Sequence, residues 1–218
     1  MFAIGRRYLL LGASAAALLG LGACDGANGQ AGISADDMGI GAADAPVTII
    51  EYASVTCPHC REFHEAVWDQ LKANYIDTGK VRFIFREFPT PPAQVAVAGF
   101  QLARCGGASP EQYMSRIDVL FEQQQAIFAT GTMEGVRQKF VEIGAGAGLS
   151  EQQVMECITD QSGAERIRHT VEAGTRDFDI TGTPTLVLNG QKLDQVADPS
   201  VVTYEGLARR IDAAIAGN

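Results

Sequence analysis

Two thiols three positions apart, in Cys57-Pro58-His59-Cys60, are the most reactive grouping in this 218-residue chain. A disulfide across so short a span constrains almost no chain, so the pair makes a poor structural staple and reads as a redox or a metal motif. Cys57, Cys60 and His64 form a Cys-x2-Cys-x3-His pattern that could hold zinc or copper, although no fourth ligand stands nearby. As a redox pair, one sulfur must be held as thiolate, the form that attacks disulfides.

The elements around the pair favour redox chemistry. Residues 47–52 are rich in β-branched side chains and follow Pro46, so they predict a strand that runs almost directly into the dithiol. Cys60, Phe63, Val67 and Leu71 then recur at helical spacing, with His64 and Trp68 beside them, and Gly79 closes the connection. Pro58 suits the first helical position, which puts Cys57 at the helix N-terminus. There the unpaired N–H groups and the positive end of the helix dipole lower a thiol pKa, and His59 can add positive charge. Stabilising the thiolate stabilises the reduced form, so the dithiol is expected to be oxidising.

Residues 81–85 predict a second strand, parallel to the first because a helix joins them. Residues 186–193 contain Asn189-Gly190, the signature of a tight hairpin, and Tyr204, Leu207, Ile211 and Ile215 place a helix over 201–215. Between them, residues 92–178 carry helical patterns only. These include 95–103, a run from Tyr113 to Phe128, another from Met133 to Ile143, and helix starts at Ser150–Gln153 and Ser162–Glu165. Gly144-Ala145-Gly146-Ala147-Gly148 reads as a helix–helix loop. The expected fold class is α/β: a βαβ unit, a hairpin and a closing helix, over 46–91 and 179–218, with a helical insertion at 92–178.

The chain opens on Arg6-Arg7 and an apolar run that reads as an export signal over 1–23. Leu21-Gly22-Ala23-Cys24 resembles a bacterial lipobox, which makes Cys24 a candidate lipidation site; ordinary cleavage near Ala27-Asn28-Gly29 and twin-arginine export are the alternatives. Residues 24–45, rich in Gly, Ala and Asp, predict a flexible tether. Lys and Arg number 17 against 26 Asp and Glu, a net charge of −9. Residues 1–23 hold two arginines and no acid, so the remainder carries −11, from 15 bases against 26 acids. So acidic a surface argues against nucleic acid as a partner. A mean hydropathy of +0.03 with 20% charged residues excludes both a disordered chain and a multi-span membrane protein.

The strand, the Cys57-Pro58-His59-Cys60 helix start, the helical insertion and Gly182-Thr183-Pro184-Thr185 before a hairpin together resemble the DsbA family of thiol–disulfide oxidoreductases, over about residues 44–218. Ala43-Asp44-Ala45-Pro46-Val47-Thr48 and Arg86-Glu87-Phe88-Pro89 resemble its exported bacterial subgroup with a thioredoxin core. The resemblance implies a periplasmic or cell-envelope enzyme that donates the Cys57–Cys60 disulfide to reduced or unfolded exported proteins. It needs no cofactor or metal beyond that redox-active disulfide. A membrane quinone-linked oxidant of the DsbB or VKOR type would reoxidise it, and only a lipid at Cys24 would hold it to the membrane.

The resemblance also implies that Glu51, six residues before Cys57, is a buried acid relaying the proton of Cys60; the alternative is an ion-paired strand residue. It implies that Pro184 is cis and exposes the Thr183 backbone beside the dithiol, where an extended client can pair as an added strand. Thr183 stands where DsbA-type oxidases commonly have Val, so a disulfide isomerase or reductase is the alternative duty. Cys105, at a helix end, and Cys157, inside a helix, are expected to form a structural disulfide closing a loop of about 50 residues, worth ~4 kcal/mol at most. His64 and Trp68 are expected to pack or rim the site, His169 to lie on the surface, and Arg86-Glu87 to be a sheet-edge charge or a solvated pair.

Overall fold

The protein is described here by a computed structural model, which covers Met1 and residues 32–217. The rest of the expected export signal, together with Cys24, lies outside the described residues. The strand that leads to the dithiol, β2 (Val47–Ala53), is buried at every position, as its run of β-branched residues requires. Helix α1 (Pro58–Leu71) crosses to β3 (Val81–Glu87), which pairs parallel to β2 in the register Val47 with Val81 to Ala53 with Glu87. β4 (Thr185–Leu188) pairs antiparallel to the other side of β2, with Glu51 opposite Leu186. β5 (Gln191–Lys192) returns through Asn189 and Gly190, both at positive φ, the geometry a two-residue hairpin turn demands. The Asn189 side chain also accepts from Thr48 N at 2.8 Å, fixing the hairpin to the central strand.

The expected tether over 24–45 does not hold for its described part. Gly39–Ile40 forms β1, antiparallel to β3, and among the described residues the sheet order is β1-β3-β2-β4-β5. Asp37 just before it pairs at 2.6 Å with Arg86, and both side chains are only 7% exposed. A two-residue strand carries no periodicity to read, and a buried ion pair across 49 positions leaves no local trace. Arg86-Glu87 is likewise no solvated pair: Arg86 also donates to Tyr52 Oη at 2.7 Å, and buried Glu87 accepts from Arg104, Arg166 and Tyr113.

Between β3 and β4 stand α2 (Ala93–Arg104), α3 (Pro110–Glu122), α4 (Gln124–Ala129), α5 (Met133–Gly146), α6 (Glu151–Ile158) and α7 (Gln161–Phe178). The glycine-rich run at 144–148 is not wholly a loop: α5 continues through Gly146, because a side chain at Gly144 would collide with Val154 of α6 and the bare backbone permits that close crossing. Ser150 caps α6 with a capping box, but α7 starts at Asp160, whose carboxylate accepts from Ser162 N and Gly163 N, rather than at Ser162. α7 returns to the sheet, where Gly174 lies against the Tyr52 ring and Phe178 packs beside it. α8 (Tyr204–Ala216), capped by Thr203, closes the other face with Leu207 and Ile211. The main core joins that face, α1 and the inserted helices, while Ile50, Tyr52, Ile84, Ile180 and Val187 form a smaller core on the opposite face. Among the described residues no helix is long and apolar enough to cross a membrane.

Candidate active site: a dithiol at a helix N-terminus

The loop leaving β2 turns directly into α1, with Cys57 as its N-cap and Pro58 at its first position. No side chain caps this helix and its first turn holds no acid, so the N-terminal N–H groups are left to the Cys57 sulfur. Cys57 is 8% exposed, whereas Cys60, one turn inward, is fully buried and accepts from Ser54 N at 3.5 Å. Both are free thiols.

The two sulfurs are driven apart electrostatically. The hydrogen bond from the Cys60 thiol holds Cys57 down at about 5 against the opposing effect of burial, with further help from Thr183 and from the backbone N–H groups of Cys60 and His59. Burial pushes the Cys60 thiol far up, reinforced by its bond to Cys57 and by the nearby charge of Glu51. One sulfur is thus a thiolate at neutral pH and the other a thiol.

The remaining expected residues fall as follows. Pro58 and His59 are exposed, and the His59 ring meets Glu62 at 3.1 Å with its side chain 80% exposed, so what His59 offers the sulfur is its main-chain N–H. The Thr183–Pro184 bond is cis, and Thr183 O lies 3.5 Å from Cys57 Sγ. Pro184 is buried and Thr183 half-buried beside the dithiol. Glu51 is fully buried at mid-sheet, and its only ion-pair partner among the described residues is His64, 3.3 Å away. Cys105 and Cys157 are bonded to one another, Cα to Cα 5.6 Å. His64 does not turn toward the sulfurs as a ligand, and among the described residues no group of three or more His, Cys, Asp or Glu is placed to hold a metal ion.

Sequence reasoning missed the residues that hold the loop. Gln124, at the start of α4 and 3% exposed, donates through Nε2 to Val55 O at 2.9 Å and to Cys57 O at 3.1 Å, so the inserted helices grip the loop carrying the nucleophile. Ser54, Thr56 and Thr90 form a second clamp: Thr56 Oγ1 donates to Thr90 O at 2.9 Å, and Thr90 N donates to Ser54 Oγ at 3.1 Å. The middle residue of Gln123-Gln124-Gln125 and three scattered hydroxyls carry no spacing signal.

The thioredoxin family model matches residues 34–213, nearly all of the described chain. The chain belongs to the thioredoxin family. Among curated relatives, it is 28% identical over 169 residues to a Rickettsia bellii protein named "Putative protein-disulfide oxidoreductase", covering 78% of this chain and 63% of that one. It is 23% identical over 193 residues to disulfide bond formation protein D of Bacillus subtilis, covering 88% and 83%. This thioredoxin-family chain thus spans under two thirds of the length of the Rickettsia relatives. Among solved structures, alpha-DsbA1 of Wolbachia pipientis superposes with a TM-score of 0.69 at 24% identity, over 85% of this chain and 96% of that one. BdbD of Bacillus subtilis follows at 0.67 and 20%, over 82% and 92%. The fold is therefore shared with these solved structures, and in this chain the helical insertion stands between β3 and β4.

Proposed function

We propose that this protein is an exported thiol–disulfide oxidoreductase that donates the Cys57–Cys60 disulfide to client proteins in the periplasm or cell envelope. One arrangement carries the reading: Cys57 caps the otherwise uncapped N-terminus of α1 with the fully buried Cys60 one turn inward, which holds Cys57 down at about 5 and keeps Cys60 a thiol. In the exchange, a client thiolate attacks Cys57 Sγ; the client–Cys57 bond forms, the Cys57–Cys60 bond breaks, and Cys60 departs with the electron pair and takes a proton. A second client thiolate then attacks the client sulfur of the mixed disulfide, and Cys57 leaves as thiolate. The client is oxidised by two electrons and the enzyme reduced by two.

Direction follows from the leaving group. At pH 7 a Cys57 near 5 rather than near 9 favours the reduced enzyme by about 3 kcal/mol, on the order of 60 mV toward oxidising strength. The Thr183 carbonyl beside Cys57 supports pairing of an extended client backbone across the site, with Pro184 behind it. Reoxidation falls to a membrane quinone-linked oxidant of the DsbB or VKOR type, and lipidation at Cys24 would keep the enzyme beside it. The test is oxidative refolding of reduced, unfolded ribonuclease by a stoichiometric amount of oxidised protein. Ribonuclease activity should return, and Cys57→Ala should abolish the transfer; reactivation of scrambled ribonuclease without net oxidation would mean an isomerase instead.

A further inference from the structure

Beneath the dithiol a line of ionisable groups runs from the buried sulfur toward the surface. Cys60 and Glu51 have no exposure, the His64 side chain is 5% exposed and that of Asp118 is 31%. His64 Nε2 stands 3.3 Å from Glu51 Oε2, and its Nδ1 stands 3.4 Å from Asp118 Oδ1. Neither oxygen of Glu51 has a hydrogen-bond partner, so a carboxylate lies under the sulfur with only this ring to answer its charge among the described residues. Trp68 stacks on the ring at 5.1 Å, and Phe121 and Phe85 cover other sides. Trp68 Nε1 donates to the second oxygen of Asp118 at 3.2 Å, fixing that carboxylate against the ring. Beyond it a small surface hollow is lined by Glu65, Asp69 and Glu122.

Burial favours the neutral ring, but Glu51's charge and the contacts with Asp118 and Glu51 outweigh it and hold His64 up at about 9. The ring is then an imidazolium at neutral pH, with one N–H toward each carboxylate. Cys60, by contrast, cannot remain a thiolate where it lies, so its proton must arrive as its bond to Cys57 breaks.

We propose that His64 is the proton store of Cys60, working through Glu51, with Asp118 as the residue that orients it. The inference rests on the exchange reaction proposed above. When a client thiolate attacks Cys57 Sγ, the electron pair of the Cys57–Cys60 bond passes to Cys60 Sγ, the Nε2 proton of His64 passes to the Glu51 carboxylate, and Glu51 hands it on to that sulfur and is a carboxylate again. The ring is left neutral, keeping its Nδ1–H directed at Asp118. When an oxidant with a disulfide of its own forms a mixed disulfide with Cys57, the steps reverse. Cys60 gives its proton to Glu51 and attacks Cys57, the oxidant's sulfur leaves as thiolate, and Glu51 returns the proton to Nε2. One full cycle moves a proton out and back.

The experiment compares the full chain with His64→Gln, which can still donate a hydrogen bond to Glu51 but cannot release a proton, and with Asp118→Asn. Single-turnover reduction of the Cys57–Cys60 disulfide by glutathione is followed across pH. His64→Gln should slow it by about a hundredfold, the low end of general acid catalysis, while the Cys57 titration stays in place. Asp118→Asn should move the alkaline fall in rate to lower pH, because the ring loses one of its two carboxylates. The single tryptophan, Trp68, reports the ring directly, since an imidazolium quenches a stacked indole. Its fluorescence should titrate near 9 in the unsubstituted protein and lower in Asp118→Asn. Unchanged rates and pH profile in His64→Gln would overturn the proposal while leaving the exchange reaction standing. If that variant does not fold, an unmoved fluorescence midpoint in Asp118→Asn overturns it. Absence of exchange in the unsubstituted protein would instead remove the reaction itself.

Discussion

Replacing Cys60 with Ala isolates the strongest interaction of the nucleophile. The hydrogen bond from the Cys60 thiol is the largest of the influences that hold Cys57 at about 5, ahead of Thr183 and the N–H groups of α1. A hydrogen bond to a charged group is worth about 1.5–3 kcal/mol, which is roughly one to two pH units on a thiol titration. Cys60→Ala should therefore carry Cys57 up to ~6–7, not to its ordinary value, because the helix N-terminus remains in place. The small substitution also leaves a single active-site thiol, so the titration can be read from thiolate ultraviolet absorbance or from alkylation rate against pH. His59→Ala is the contrast: a ring 80% exposed and facing Glu62 is screened by water, and its removal should move the midpoint less than Cys60→Ala does. A midpoint still at about 5 in Cys60→Ala, or a larger move in His59→Ala, would refute the assignment of the sulfur–sulfur hydrogen bond as the leading influence.

The folding stability of the reduced protein should rise with pH relative to that of the oxidised protein. Between about 5 and 9 the unfolded state carries a Cys57 proton that the native state lacks, so the thiolate's contribution is absent below 5, about 3 kcal/mol at pH 7 and complete above 9. Denaturant unfolding of both forms across that window checks it, and a flat difference would contradict it. Gln124→Leu leaves buried Val55 O without its partner and Cys57 O with only the Arg61 N–H, and should cost roughly 1–3 kcal/mol, with weaker protection of the loop amides in hydrogen exchange. Replacing Cys105 and Cys157 by Ser should lower stability by up to ~4 kcal/mol while disulfide transfer continues, since that bond stands in the inserted helices and α1 does not depend on it.

The central strands, α1, the hairpin and α8 were readable because each carries a local signal: β-branched runs, a Pro at the first helical position, Asn189-Gly190 and helical spacing of apolar residues. The dithiol was readable for the same reason, since its spacing is its chemistry. What escaped was set by distance in sequence. β1 is two residues long and is placed by pairing to β3, and its neighbour Asp37 acts only because the fold brings Arg86 to it. Gly144 looked like a loop residue, yet it is helical because Val154 of α6 needs the space. His64 looked like packing, and half of it is, against Trp68 and Phe121. Its link between Glu51 and Asp118 joins β2, α1 and α3, which no single stretch of sequence contains.

The most direct test of the account is the equilibrium of the Cys57–Cys60 pair with glutathione redox buffers, using the chain from Asp25 onward and reading the alkylated thiols by intact mass. A thiolate held at about 5 predicts that the disulfide survives only in strongly oxidising buffers and is readily given up. A disulfide that persists in reducing buffers would contradict the account and mark a reductase supplied with electrons from across the membrane.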